Sequence, residues 1–181
     1  MSKILIVYGT RYGATGEIAE RIQNVLVDKG HEVDGLNLEQ TKSKKWPSPE
    51  NYDGIIVGSS IKMGMWKKEP KKFVKKNSEA IKNKKAGIFV TCGLAADPEE
   101  IPKAKIDYIE KILNKYEFSV DVYDAFGGVY DLTENSSLGK LNQKIIKMVA
   151  AEDPNIKLGE LNDFRNWAQI ESFAEEFDKL L

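Results

Sequence analysis

Three short segments hold the residue types best able to do chemistry. Gly9-Thr10-Arg11-Tyr12-Gly13-Ala14-Thr15 offers two hydroxyls, a guanidinium and backbone N–H groups freed by glycine, the equipment for holding an oxyanion. Gly58-Ser59-Ser60-Ile61-Lys62-Met63-Gly64-Met65-Trp66 mixes polar groups with Met and Trp, which suits the edge and face of a planar ligand. Thr91-Cys92-Gly93-Leu94 is the third. Acid–base and metal chemistry have little to work with. Cys92 is the only cysteine and His31 the only histidine of 181 residues, which rules out an internal disulfide and leaves too few soft ligands for zinc. With no histidine near it in sequence, Cys92 is expected to be a small buried apolar residue and His31 a surface residue. Any redox chemistry must therefore come from a bound cofactor.

The first segment can be set against the common phosphate motifs. It lacks Gly-Lys-Ser/Thr, so triphosphate hydrolysis of the P-loop type has no lysine, and Gly9, Gly13 and Gly16 fall at the wrong offsets for G-x-G-x-x-G. Paired acidic residues, which a receiver domain needs after its first strand, are absent there too. What remains is a βα loop leading into a helix N-terminus, where free N–H groups and the helix dipole favour an anion.

The elements that must position these loops follow from hydrophobic patterning. Ile4 to Tyr8, Ile55 to Val57 and Gly87 to Thr91 are short, continuously apolar runs of strand length, as in a parallel sheet covered on both faces. Glu32 to Leu38 reads as a weaker edge strand and Val120 to Phe126 as a fifth strand. Between them, Ile18, Ala19, Ile22, Val25 and Leu26 repeat at helical spacing after Thr15 as N-cap, and Gly30 closes that helix. A Lys-rich helix spans about Glu69 to Ile81. Another runs from Ile101 to Tyr116 with Ile106, Ile109, Ile112 and Leu113 on one stripe. Leu138, Leu141, Ile145, Met148 and Val149 fit a short amphipathic helix, inserted near 131–160. Asp163 is placed to cap a last helix carrying Phe164, Trp167, Ile170, Ala174, Phe177 and Leu181. The fold class is α/β: a doubly wound, five-stranded parallel sheet in the order 2-1-3-4-5, helices on both faces, built as one domain over 1–181. In such sheets ligands sit at the carboxyl ends of the strands near the switch point, where all three loops begin.

At this point Tyr8-Gly9-Thr10-Arg11-Tyr12-Gly13-Ala14-Thr15 resembles the signature of the flavodoxin family, a hydroxyl residue, two variable positions, Gly, a variable position and Thr wrapped around the phosphate of FMN. The resemblance implies a flavodoxin-like fold. It also implies an FMN site in which Thr10, Arg11, Tyr12, Gly13, Ala14 and Thr15 form the phosphate loop, with Ala14 where many members carry Asn. Ser59, Ser60, Ile61, Lys62, Met63 and Gly64 would then face the flavin's pyrimidine edge and N5, with Gly64 permitting a peptide flip toward the reduced ring. Thr91, Cys92, Gly93 and Leu94 would line the other edge. Met63, Met65 and Trp66 are candidates for cover on the ring face, although Trp66 serves equally well as an anchor for the next helix. Lys62 occupies the position that is often aromatic in the family. One phosphate loop and no second dinucleotide signature imply FMN rather than FAD.

Most of the chain also resembles the branch that includes menaquinone-dependent protoporphyrinogen dehydrogenase, through Thr10-Arg11, Gly58-Ser59-Ser60-Ile61, the stretch Leu138 to Val149, and Trp167. That branch begins its insert with basic and aromatic residues, whereas this chain has Tyr130-Asp131-Leu132-Thr133-Glu134-Asn135. The expectation is therefore an FMN-binding electron carrier serving redox partner proteins, with quinone-linked protoporphyrinogen oxidation as the alternative. Composition is neutral on nucleic acid, since 27 basic and 28 acidic residues give a net charge of -1, and no nucleic-acid partner is expected. Charge is nevertheless uneven: residues 62–91 carry ten lysines against Glu69 and Glu79, a local +8 that could steer an acidic partner. No apolar stretch approaches the roughly 20 residues of a membrane span and no signal-peptide pattern is seen, so a cytoplasmic location with no integral membrane segment is expected.

Overall fold

In the computed structural model, which describes residues 1–134, 136, 144 and 156–181, successive apolar side chains of each short run go to opposite faces of one sheet, as the strand period of two requires. From β1 (Lys3–Gly9), Ile4 and Ile6 enter one core and Leu5 and Val7 the other, all fully buried. The chain then forms β2 (Glu32–Asn37), β3 (Gly54–Lys62), the two-residue β4 (Met65–Trp66), β5 (Lys85–Thr91) and β6 (Val122–Phe126). The spatial order is β2-β1-β3-β5-β6, all parallel, so the five parallel strands run 2-1-3-4-5 as the sequence predicts.

Helix α1 (Ala14–Asp28) covers one face with Ile18, Ile22 and Leu26. The opposite face takes α2 (Lys68–Lys82) through Phe73, Val74 and Ile81. Next on that face is a continuous helical run of α3 (Ile101–Ala104), a π-helical stretch Lys105–Glu110 and α4 (Lys111–Tyr116). Helix α5 (Trp167–Asp178) returns to the first face, where Ile170, Phe173 and Phe177 join the α1 core. Each fully buried Ile, Leu or Phe contributes roughly 1.5–3 kcal/mol, so it is this double cover that holds the strand ends, and the loops leaving them, in place. Packing at the centre is tight: a Cβ at Gly58 would lie 2.2 Å from the Phe89 ring, so only glycine lets β3 and that ring coexist.

Several local expectations are corrected. Helix α1 is capped by Gly13 at φ 98°, not by Thr15, which sits inside the first turn and is buried. Between β2 and β3 the chain makes two 3-10 turns, and Trp46 fills the gap, its ring 6.0 Å from that of Phe73 and its Nε1 donating to Leu38 O and Thr41 O. Strand β3 continues to Lys62 instead of ending at Val57. The π stretch adds a residue to its turn, so the regular stripe fails: Ile109 and Ile112 are buried, while Ile106 is 52% exposed. Asp163 does not cap the last helix; Asn166 does, accepting from the Gln169 N–H. Trp167 is 38% exposed, beneath the Arg165 guanidinium at 4.7 Å from the ring centre. His31 is not a surface group: its Nδ1 accepts from Ser2 N at 3.1 Å, which places its proton on Nε2, donated to Asp178 Oδ1 at 2.8 Å.

A small antiparallel pair, β7 (Val129–Asp131) with β8 (Leu161–Asp163), adjoins the sheet. Buried Asn162 ties its return loop together by accepting from Lys157 N and donating to Lys157 O and Glu160 O. The expected helix carrying Leu138, Leu141, Ile145, Met148 and Val149 lies outside the described residues.

Candidate functional site

The carboxyl ends of β1, β3 and β5 open into a cavity of about 380 Å³. Its floor at one end is the loop after β1: Thr10, Arg11, Tyr12, Ala14 and Thr15 all line it. The loop is shaped by Gly13, whose N–H donates to Thr10 Oγ1 at 2.9 Å and whose carbonyl accepts from Gly16 and Glu17 N–H. Because the Thr10 oxygen accepts, its hydroxyl proton stays available to a ligand. Helix starts leave their first N–H groups without intrahelical acceptors, and those of Ala14 and Thr15 belong to cavity-lining residues.

The second wall is a hairpin the sequence does not reveal. Ile61 pairs with Trp66 and Lys62 with Met65, leaving Met63 and Gly64 as a two-residue turn at φ 50° and 74°. Positive φ at both positions is the I′ pattern that matches strand twist. Ser60, Ile61, Lys62, Met63 and Gly64 line the cavity. Trp66 does not: it is 6% exposed in the core and its Nε1 donates to Tyr108 O at 2.6 Å, which settles it as an anchor. Met65, 61% exposed, is also off the cavity wall.

Arg11 departs from its expected use as well. Its Nη1 donates to Ser60 O at 2.6 Å and Ser60 Oγ at 3.0 Å, and its Nη2 reaches Met65 O and Trp66 O at 3.4 Å. The guanidinium thus braces the hairpin against the loop after β1, and the Ser60 carbonyl is already engaged. Burial pushes the guanidinium pKa down, against the opposing influence of Tyr12, Glu39 and Glu69. Lys62 Nζ donates to Tyr12 Oη at 3.1 Å and lies 5.7 Å from that ring's centre, so the two loops also meet at the rim.

Thr91, Cys92 and Gly93 form the far wall. Thr91 Oγ1 is buried and has no hydrogen-bond partner among the described residues. Cys92 is 4% exposed, and burial pushes its thiol up to about 11 against backbone N–H groups of Ala95 and Leu94, so it is a protonated thiol and no nucleophile at neutral pH. Three expected residues stay off the wall. Gly13 acts through the loop's shape, Ser59 is buried with its hydroxyl donating to Ser60 O and accepting from Lys67 N, and Leu94 packs against the core. Sequence reasoning missed Tyr108, Gly128, Val129 and Tyr130, which complete the lining. Tyr108 stands on the π stretch, its phenol pKa raised first by burial and then by Cys92 and Asp107. Tyr130 comes from β7, and its Oη lies 1.9 Å from where a Gly93 Cβ would stand.

Arg165 anchors β7 and β8 beside this site. It donates through Nε and Nη2 to Asp163 at 2.8 and 2.6 Å and through Nη1 to Glu17 Oε2, in the first turn of α1. Asp163 is held below the usual carboxylate range by that pairing, and Arg165 is held correspondingly high. Among the described residues no cluster of three or more His, Cys, Asp or Glu could hold a metal ion, and no helix is long and apolar enough to cross a membrane.

Comparison with known proteins adds three findings. A family model described as a flavodoxin domain matches residues 5–156. The protoporphyrinogen IX dehydrogenase [quinone] of Escherichia coli K12 is 24% identical over 178 residues, spanning 98% of this chain and 96% of that protein. Among solved structures, oxidised Flavodoxin 2 of Bacillus cereus aligns over 99% of both chains at 21% identity and TM-score 0.59. The Fusobacterium nucleatum flavodoxin bound to flavin mononucleotide aligns over 100% of this chain and 99% of its own, at 16% identity and TM-score 0.52. At these identities the solved structures share the fold.

Proposed function

Because the chain belongs to the flavodoxin domain family, we propose that it binds one FMN in the cavity at the ends of β1, β3 and β5 and transfers electrons between redox partner proteins. The observation that carries this is the juxtaposition of a helix N-terminus and a hairpin bearing Lys62 around one largely apolar cavity that no carboxylate lines among the described residues. Three features suit the group. The loop Thr10–Thr15 offers hydroxyl and N–H donors with a helix dipole behind them, which favour a phosphate. Thr91 carries a buried hydroxyl without a partner among the described residues, a deficit of about 1–3 kcal/mol that a polar ligand atom would relieve. Ile61, Lys62, Met63 and Gly64 of the hairpin line the same cavity as Tyr108 and Tyr130. Bound there, FMN supplies the redox chemistry that none of these side chains has.

The residues do the rest by binding and exclusion. Arg11 fixes the hairpin so that its turn stays at the cavity rim. The protonated Cys92 thiol keeps the far wall neutral and unreactive beside a cofactor. A lone free thiol also suits a reducing compartment, which supports a cytoplasmic location. A second reading, quinone-linked oxidation of a porphyrinogen, is favoured by the nearly full-length match to the Escherichia coli dehydrogenase. Against it stands the start of the insert, Tyr130-Asp131-Leu132-Thr133-Glu134-Asn135, which is acidic where that branch is basic and aromatic.

Calorimetric titration of the FMN-free protein with FMN and with riboflavin tests the site. FMN is expected to bind at one per chain and riboflavin much more weakly. Gly13→Asp is expected to abolish the preference, with Gly13→Asn, equally strained but uncharged, retaining more of it. Equal affinity for the two ligands, or an undiminished preference in Gly13→Asp, overturns the assignment.

A further inference from the structure

The charge on the cavity wall is one-sided. Among its described lining residues stand two cations, Arg11 and Lys62, and no Asp or Glu. Both cations are held in place. Arg11 is locked to Ser60, Met65 and Trp66, and Lys62 donates to Tyr12 Oη immediately before the Met63–Gly64 turn. The carboxylates nearby are engaged or lie outside the cavity. Glu39 pairs with Lys67 at 2.6 Å, Glu17 with Arg165, and Glu69 stands in the first turn of α2. Lys62 is thus a positive group at the hairpin end of the cavity, with no described carboxylate on that wall to offset it.

Reduction of a flavin by two electrons and one proton places the proton on N5 and leaves the ring with a negative charge spread over N1 and its neighbouring carbonyl. A cation at the ring stabilises that reduced anion more than the neutral oxidised ring, and differential stabilisation is what moves a potential. We propose, resting on the FMN site above, that Lys62 is a binding residue selective for reduced flavin. Backed by Arg11, it poises this chain as an electron acceptor of higher two-electron potential than free FMN. The electrons come from a reduced donor, which is oxidised in turn, and the N5 proton comes from solvent. The tyrosine at the rim has a defined part: by accepting from Lys62, Tyr12 Oη holds the ammonium at the cavity instead of letting it swing into water.

The test is spectroelectrochemical titration, with dithionite as reductant and mediator dyes, of the FMN-loaded wild type, Lys62→Arg, Lys62→Gln and Lys62→Glu, against free FMN. FMN binding to each oxidised protein is measured first by calorimetry. Wild type is expected above free FMN. Lys62→Gln is expected to lose about tenfold in the preference for reduced over oxidised FMN, the order given by one partly screened charge pair. For a two-electron couple that is about 30 mV lower. Lys62→Glu should lose more, and Lys62→Arg should keep the wild-type potential. In Lys62→Gln and Lys62→Glu the loss of affinity for reduced FMN should exceed any loss for oxidised FMN, a pattern that mere loss of packing would not give. Identical potentials in Lys62→Gln and Lys62→Glu, with FMN bound, overturn the charge assignment while leaving the FMN site standing. A wild-type potential at or below that of free FMN overturns the proposed poise. Failure of the wild type to bind FMN at all overturns both.

Discussion

Arg11 separates two accounts of the loop after β1, one in which its charge meets the phosphate and one in which its guanidinium braces the hairpin. The structure supports the brace. Two short bonds to Ser60, 2.6 and 3.0 Å, and two long contacts to Met65 O and Trp66 O at 3.4 Å take up the fork. Bonds to a charged group are worth about 1.5–3 kcal/mol each when shielded. Arg11 is only partly buried, and the long contacts add little, so Arg11→Ala should destabilise the FMN-free protein by about 2 kcal/mol. For a chain of this size each kcal/mol moves Tm by roughly 2–4 °C, which makes the expected loss about 4–8 °C. Arg11→Lys keeps the charge but not the planar fork, so it should recover at most half of that loss. The assay is thermal unfolding of FMN-free wild type and both variants, followed by titration with FMN and riboflavin. Both ligands should weaken together, because a displaced hairpin harms the ring end. An unchanged Tm, with FMN weakened selectively and rescued by lysine, would refute the brace and return Arg11 to the phosphate.

Other outcomes follow from the same geometry. Gly93→Ala drives a Cβ to 1.9 Å from Tyr130 Oη, an overpacking expected to cost about 1–3 kcal/mol; adding Tyr130→Phe should recover part of it, so denaturant melts of the single and double variants should be non-additive. With its thiol pushed up to about 11, Cys92 should resist iodoacetamide at pH 8, where only about one molecule in a thousand is thiolate; mass spectrometry showing rapid native alkylation would contradict this. The same raised value adds stability below the unfolded thiol's pKa near 8.5 that fades as pH climbs toward about 11. Lys75 and Lys76 are exposed on α2, whereas Lys67 is paired with Glu39. Lys75→Glu with Lys76→Glu should therefore slow reoxidation of the reduced protein by the anion ferricyanide, and that difference should shrink as salt rises above 0.1 M.

The centre of the sheet was readable because β1, β3 and β5 are buried on both faces and carry apolar runs, and α1 because Ile18, Ile22 and Leu26 keep helical period. The hairpin was not. Ser59 and Ser60 look like loop residues, yet Ser59 is buried in β3 with its hydroxyl satisfied by Ser60 O and Lys67 N. The turn is Met63-Gly64 instead of the Asn-Gly that would announce it, so nothing in the sequence tells which of Met65 and Trp66 points inward. Tyr108 was hidden for a different reason. The π stretch moves the helix register by a residue, exposing Ile106 and bringing Tyr108 to the cavity, and a reading at 3.6 residues per turn has no means of seeing it. Tyr130 reaches the site through a long-range pairing, Val129–Asp131 with Leu161–Asp163, that leaves no local trace.

The central claim, one FMN held for electron transfer, is tested most directly by the absorption spectrum of the full chain, saturated with FMN and freed of excess, during stepwise anaerobic reduction and reoxidation. A flavin spectrum at one equivalent per chain that bleaches and returns reversibly, with electrons passing on to an added acceptor protein, is the predicted result. A chain that retains no flavin after saturation, or one whose bound flavin cannot be reduced and reoxidised, would contradict it.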